Sequence, residues 1–440
     1  MTNIFHRNPH NQPPIALDGK GMHLIDANGK KYIDASGGAA VSCLGHGDPE
    51  IIQAIKEQAE ELAFAHTGFF SSVPAEELAN FLIGQAPPNF GKVYFVSGGS
   101  EAVEASLKLA RQYHLENGEP QRCKFIARRQ SYHGNSLGAL AAGGNEWRRK
   151  QFEPMLFSVS HISPCFAYRE QRANETEEEY GLRVANELEA EILKLGAGNV
   201  AAFIAETVVG ATAGAVPPVS GYFKRIREIC DAYGVLLILD EVMCGLGRTG
   251  TFFAFEQDDI VPDIITVAKG LAGGYQPIGA LLCTDNIYNT IYEGSGFFQH
   301  GHTYMGHPVA CAASLAVMNA IVERGLLQNV QEIGNYLEIK LNATFGDHPH
   351  IGDIRGRGLF RGLEVVKDRK LKEPFDPALK VNVKIKNVAL TNGMICYPMG
   401  GTIDGEKGDH ILLAPPFIAS TEDIDSIVEI LEIAINSLES

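Results

Sequence analysis

From about residue 92 the chain changes its pattern of apolar and polar positions at regular intervals. Short apolar runs, "KVYFV" (92–96), "KFIARR" (124–129), "VAAFIAE" (200–206), "VLLILDE" (235–241) and "DIITVA" (263–268), predict buried strands. Between them lie "SEAVEASLKLARQYH" (100–114), "EYGLRVANELEAEILKLG" (179–196) and "GYFKRIREICDAYG" (221–234), each with the spacing of an amphipathic helix. Strands alternating with such helices predict an α/β fold with a mainly parallel sheet covered on both faces. Upstream, "GMHLIDANGKKYIDA" (21–35) predicts a small hairpin turning near Asn28-Gly29, and "DPEIIQAIKEQAEELA" (48–63) a helix that starts after Asp48-Pro49. Downstream of 326 a long helical stretch leads to "IRGRGLFRGLEVV", "GMICYP", "HILLAPPFI" and a final helix. The expected organisation is an N-terminal arm with part of a small domain (1–49), a large domain (50–325) and a C-terminal small domain (326–440).

Composition narrows the class. With 440 residues the chain can build more than one core, and 45% apolar with 20% charged residues is ordinary for a globular protein. A net charge of -16 provides no basic excess for nucleic-acid phosphates or an anionic membrane surface. The eight cysteines are scattered without a C-x-x-C, and no 18-residue apolar run or N-terminal signal core is present. The expected compartment is the reducing cytoplasm. Residues 172–181, "RANETEEEYG", read as a solvated charged face.

Four places carry candidate chemistry. "VYFVSGGSEAVEASLKLAR" runs from strand through a Ser/Gly turn into a helix. Gly98, Gly99 and Ser100 then form either an ordinary turn or a phosphate cradle at a helix start. Asp240-Glu241 close an apolar strand; they are either solvated acids or include one carboxylate aimed at a ligand at the carboxyl rim of the sheet. Lys269 follows another strand and precedes three glycines in five residues. It is either solvated or a buried amine held neutral for attack on a carbonyl. Tyr132 and His133, after "KFIARR", either pack a loop or offer an aromatic face to a planar ligand. Taken together, a phosphate cradle, a flat-ring partner, an acid and an amine nucleophile are the parts that pyridoxal 5′-phosphate requires.

The order of motifs "VSGGSEAVEASLKLAR", "SYHG", "ILDEVMCGLGRTG", "AKGLAGGYQPIGA", "GHTYMGHPVACAAS" and "RGRGLFRGLEV" resembles the class III (ω-amino acid) aminotransferases, from about residue 20 to about 435. The resemblance implies fold type I: a large domain with a mainly parallel seven-stranded sheet between helices, and a smaller α+β domain from the N-terminal arm and the C-terminal part. It implies that Lys269 forms the Schiff base with the cofactor and carries the proton of the 1,3-shift. Asp240 would bind the ring nitrogen, Val242 and Tyr132 the two ring faces, and Gly98, Gly99 and Ser100 the phosphate, with His133 beside them. Glu206 would lie near the cofactor's O3′ side. Thr303 would reach the phosphate of a neighbouring subunit, implying a homodimer with shared sites, or a tetramer.

The implied reaction is a ping-pong transfer from an amine or ω-amino acid to a 2-oxo acid. "SCLGHGDPE", "AHTGFFSSVPAEELA" and "GDHILLAPPF" resemble the branch that uses pyruvate. Phe69 and Phe70 are candidates for an apolar substrate pocket. That branch carries an arginine in the loop before "GDH", whereas "GGTIDGEKGDH" offers Lys407, which brings charge without a bidentate fork. Arg361 is a second candidate cation. The alternative on the same fold is a racemase, epimerase, aminomutase or lyase. His300, His302 and His307 lack complementary ligand spacing, so no metal is expected.

Overall fold

The computed structural model describes residues 2–439. Its centre is a seven-stranded sheet in the order β4-β10-β9-β8-β7-β5-β6. The strands are β4 (Phe90–Val96), β5 (Lys124–Arg128), β6 (Ser160–Ile162), β7 (Val200–Glu206), β8 (Leu236–Asp240), β9 (Ile264–Val267) and β10 (Gly279–Thr284). β5 to β9 pair in parallel, while β10 runs antiparallel to both β4 and β9. β7, β8, β9 and β10 are buried at every position, as continuous apolar runs predict for strands covered on both faces. Two of the seven strands were not legible in the sequence pattern. β6 has three residues, too few to show a period. "GALLCT" of β10 follows the lysine loop closely, without the intervening helix that marks the parallel strands.

The helices start where local chemistry permits. The Thr176 hydroxyl and the Glu179 carboxylate make a reciprocal cap for helix Glu177–Leu195. The charged stretch 172–181 thus starts a helix. Asp48 caps Pro49–Glu61, with Pro49 in the first turn, where its missing N–H costs nothing.

Two smaller sheets flank the large one. β1 (Ala16–Lys20), β2 (His23–Asp26) and β3 (Lys31–Asp34) form an antiparallel meander that includes the expected hairpin, with Gly29 in the left-handed region at its turn. β3 is joined in parallel by β13 (Met394–Ile395), so the two ends of the chain share a sheet. β11 (Ile351–Arg357), β12 (Phe360–Val365), β14 (Tyr397–Gly400) and β15 (Asp409–Leu413) form an antiparallel sheet in the order β11-β12-β15-β14. One extended apolar core runs from the large sheet through helices Pro308–Glu323 and Leu326–Phe345 to the final helix Thr421–Asn436. Among the described residues no single helix is long and apolar enough to cross a membrane.

Candidate active site

The parallel neighbours β7, β8 and β9 end on the same rim. Register places Glu206 of β7 beside Asp240 of β8, and Asp240 beside Thr266 of β9. Lys269 lies three residues beyond Thr266. It therefore follows the strand instead of ending it, and its φ of 47° is in the left-handed region, strained for a side chain with a Cβ. Gly273 and Gly274 continue the loop with φ of 57° and 90°. Glycine density here is the price of a sharp reversal that turns the lysine back over the rim. The N-terminal arm buttresses this loop: the Cys43 thiol is 3.5 Å from Gly270 O, and the Asp48 N–H donates to the Tyr275 hydroxyl at 2.7 Å.

A cavity of about 480 Å³ opens at this rim, lined among others by Gly98, Gly99, Ser100, Tyr132, His133, Glu206, Asp240, Val242 and Lys269. It lies at the carboxyl ends of the parallel strands, where open α/β sheets place ligands. Asp240 and Glu241 are both buried, so the solvated-acid reading of that strand end is overturned. They diverge where the chain leaves β8, Glu241 lying one residue past its end. Asp240 faces the cavity. Glu241 points away, accepting from the Thr207 hydroxyl and from the N–H groups of Ala254 (2.7 Å) and Phe255 (3.2 Å). Burial raises its pKa to about 7.

Asp240 is held on both oxygens. Oδ1 accepts from the Val242 N–H at 3.0 Å, and Oδ2 is 2.8 Å from His133 Nδ1. With Nδ1 as the donor, each carboxylate oxygen keeps a lone pair for a further donor. Among the described residues His133 Nε2 is buried with no hydrogen-bond partner. Glu206 accepts from the Tyr132 N–H (3.0 Å) and the Gly210 N–H (2.8 Å), and burial raises its pKa. Burial lowers the pKa of Lys269, against the pull of the Asp240 and Glu206 carboxylates. The amine is thus biased towards its neutral, nucleophilic form.

The turn before helix Gly99–Glu116 is built for close approach. A Cβ on Gly99 would come within 2.9 Å of Val242 Cγ1, while one on Gly98 would meet nothing, so the space above Gly98 is open. No side chain caps the helix start. Gly98, Gly99 and Ser100 line the cavity at this helix start, where N–H groups and the dipole favour an anion. An open anion cradle, a carboxylate with free lone pairs and a half-buried amine of lowered pKa fit pyridoxal 5′-phosphate.

The remaining candidates lie elsewhere in this chain. Phe69 and Phe70 are 82% and 68% exposed and do not line the cavity. They sit in the loop before helix Val73–Gln85, on the outer surface. Thr303 is likewise exposed and outside the cavity. Lys407 is exposed on the 401–408 loop. Arg361 is buried and fully engaged with the carbonyls of Gly334, Gly356 and Gly358 and with Glu338 at 2.9 Å, so it is unavailable to a substrate. Residues that the sequence did not signal include Val41 and Gln276 in the cavity lining. Arg148 is another; its guanidinium sits 4.6 Å from the Tyr132 ring centroid. Val41 reaches the cavity from a turn and Arg148 lies behind Tyr132 on a one-turn helix, where no period marks them.

The model of the aminotransferase class-III family matches residues 4–435. An uncharacterised aminotransferase of Schizosaccharomyces pombe is 48% identical over 435 residues, 99% of this chain and 95% of its own. A diaminobutyrate–2-oxoglutarate transaminase of Halomonas elongata is 36% identical, over 96% of this chain and 90% of its own. Among solved structures, the ω-transaminase of Pseudomonas jessenii in complex with PMP superposes with a TM-score of 0.92 at 33% identity, covering 98% of this chain and 96% of that one. The chain belongs to the class III aminotransferases, with their fold type I architecture. These are pyridoxal-phosphate enzymes, and this is its cofactor.

Proposed function

We propose that the protein transfers an amino group from a small amine or ω-amino acid to a 2-oxo acid, pyruvate foremost, in two successive half-reactions with Lys269 as the central residue. The observation that carries the reading is the convergence on one cavity of Lys269, Asp240, Glu206, Tyr132, His133, Val242 and the Gly98–Ser100 turn. When bound, pyridoxal phosphate supplies an electrophilic carbon and a ring that accepts electrons from the substrate.

Each residue then has a distinct task. The Gly98–Ser100 turn holds the phosphate on the helix start. Tyr132 and Val242 confine the flat ring. Asp240, fixed by His133 and by the Val242 N–H, keeps a proton on the ring nitrogen. Glu206 sits beside it in register and holds the Tyr132 backbone in place. Lys269, whose burial favours the neutral amine, would supply the nucleophile that holds the cofactor's electrophilic carbon and, when not bonded to it, would take the proton from the donor carbon and return it as an acid. Running the same steps backward on the 2-oxo acid completes the cycle.

The homodimer belongs to the same reading. Phe64 and Tyr304 pack edge to face at 5.7 Å, close in sequence to Phe69, Phe70 and Thr303. Phe69, Phe70 and Tyr304 are all more than 60% exposed, an apolar surface of the kind a second copy covers. In that arrangement Thr303 serves the neighbour's phosphate, and Phe69 and Phe70 line the neighbour's site. Eight free cysteines suit a reducing cytoplasm. The test is a two-substrate assay of the holoenzyme with a primary amine and pyruvate. Stoichiometric alanine and carbonyl product support the reading. Racemised or eliminated product without any acceptor overturns it.

A further inference from the structure

The loop 401–408 contains no arginine, yet it packs directly on a segment that does. The Gln130 side chain donates to Gly401 O at 2.7 Å and accepts from the Asn145 side chain at 2.9 Å. Asn145 in turn caps the one-turn helix Glu146–Arg149 through the Arg148 N–H. Further along the loop, Gly405 approaches so closely that a Cβ there would lie 2.9 Å from the Trp147 nitrogen. The loop and the Arg148 helix are therefore one unit, set beside the cavity by the contact of Arg148 with Tyr132, which lines it.

Within that unit Arg148 is half-buried, with its guanidinium over the Tyr132 ring. No ion pair or side-chain hydrogen bond engages it among the described residues. Its charge is felt in the site, since it opposes protonation of Lys269. Other arginines nearby are committed. Arg149 donates to the carbonyls of Leu140, Ala141 and Gly143. Arg128 donates to Glu206 O, Arg248 to Leu359 O and Pro415 O, and Arg355 to Glu364 and two carbonyls. Arg7, on the exposed N-terminal arm, acts on Tyr132 only through its charge.

We propose that Arg148 binds the carboxylate of the acid substrate. This rests on the transamination reading above. A guanidinium fork pairs a carboxylate through two parallel hydrogen bonds, and the Tyr132 ring 4.6 Å away supports the cation without engaging its N–H groups. The charge also offsets the repulsion that a chain of net charge -16 exerts on an anionic substrate. One such fork takes one carboxylate, which favours a monocarboxylic 2-oxo acid over a dicarboxylic one.

The test uses the full-length, cofactor-loaded enzyme and the variants Arg148→Ala, Arg148→Lys and Arg7→Ala. Three readouts are taken: conversion of the cofactor's visible band by a carboxylate-free amine, its return by pyruvate, and calorimetric binding of propanoate, an unreactive carboxylate. Losing a charge-assisted pair should weaken pyruvate and propanoate binding in Arg148→Ala by roughly ten- to a hundredfold. The amine step should suffer far less, and Arg148→Lys should recover part of the loss. Equal losses in the amine and pyruvate steps, unchanged propanoate binding, or a larger effect from Arg7→Ala would each overturn the assignment. Should the wild type convert no amine, the transamination reading fails, while the propanoate titration still decides the role of Arg148.

Discussion

The strand-borne rim of the cavity and the loop-borne unit beside it are built on different principles. On the rim, Glu206 and Asp240 are paired by sheet register, and Lys269 follows the next strand. Their spacing is set by backbone hydrogen bonds in strands buried on both faces. Beside the cavity, Arg148, Gly401 and Gly405 are brought together by side-chain bonds and glycine contacts between distant segments. On the proposals above, the rim would set the reaction class and the Arg148 unit the substrate choice, in separate parts of the chain.

The largest effect expected on the rim is that of Lys269→Ala. The overall rate should fall by at least about 10³-fold, as the loss of a nucleophile and proton carrier implies, with the thermal midpoint little changed. Steady-state turnover and a melting curve check it. Asp240→Asn keeps the shape but removes the charge; roughly a 10²-fold loss of turnover is expected, together with weaker cofactor retention on dialysis. Arg148→Ala comes next, and its loss confined to the acid substrate is what separates this unit from the rim.

A smaller effect concerns Glu241, which faces away from the cavity. Folded, it keeps its proton up to about pH 7, whereas unfolded it releases it near the usual 4.5. The folded state holds more protons between those values, so stability falls as pH rises across that window and levels above it. Glu241→Gln should flatten this slope in denaturant titrations at a series of pH values. The smallest effect tests the turn itself. Because Lys269 has a left-handed φ, Lys269→Gly should be more stable than Lys269→Ala by about 1 kcal/mol, read from the same titrations.

The rim was legible in the sequence because its signals are local. Apolar runs ending in Asp240 or followed by Lys269 declare both the strand and the residue that follows it. The Gly98–Ser100 turn declares itself between a strand and a helix. The Arg148 unit was not legible. Arg148 lies in "EWRRK", too short a stretch to show a period, and only the structure sets it over the Tyr132 ring. Lys407 drew notice for its place in sequence, yet the loop turns it to solvent. Asp240 and Glu241 are both acids in sequence; only the structure shows that the last residue of β8 faces the cavity and the next turns to Thr207.

The most direct test is the visible spectrum of the purified holoenzyme during titration with a primary amine and no oxo acid, beside Lys269→Ala under the same conditions. The amine should convert the wild-type cofactor band to that of pyridoxamine phosphate, with release of one equivalent of carbonyl product, and the variant should fail to do so at a comparable rate. A wild-type band that no amine converts, or a variant that converts as fast as the wild type, would contradict transamination through Lys269.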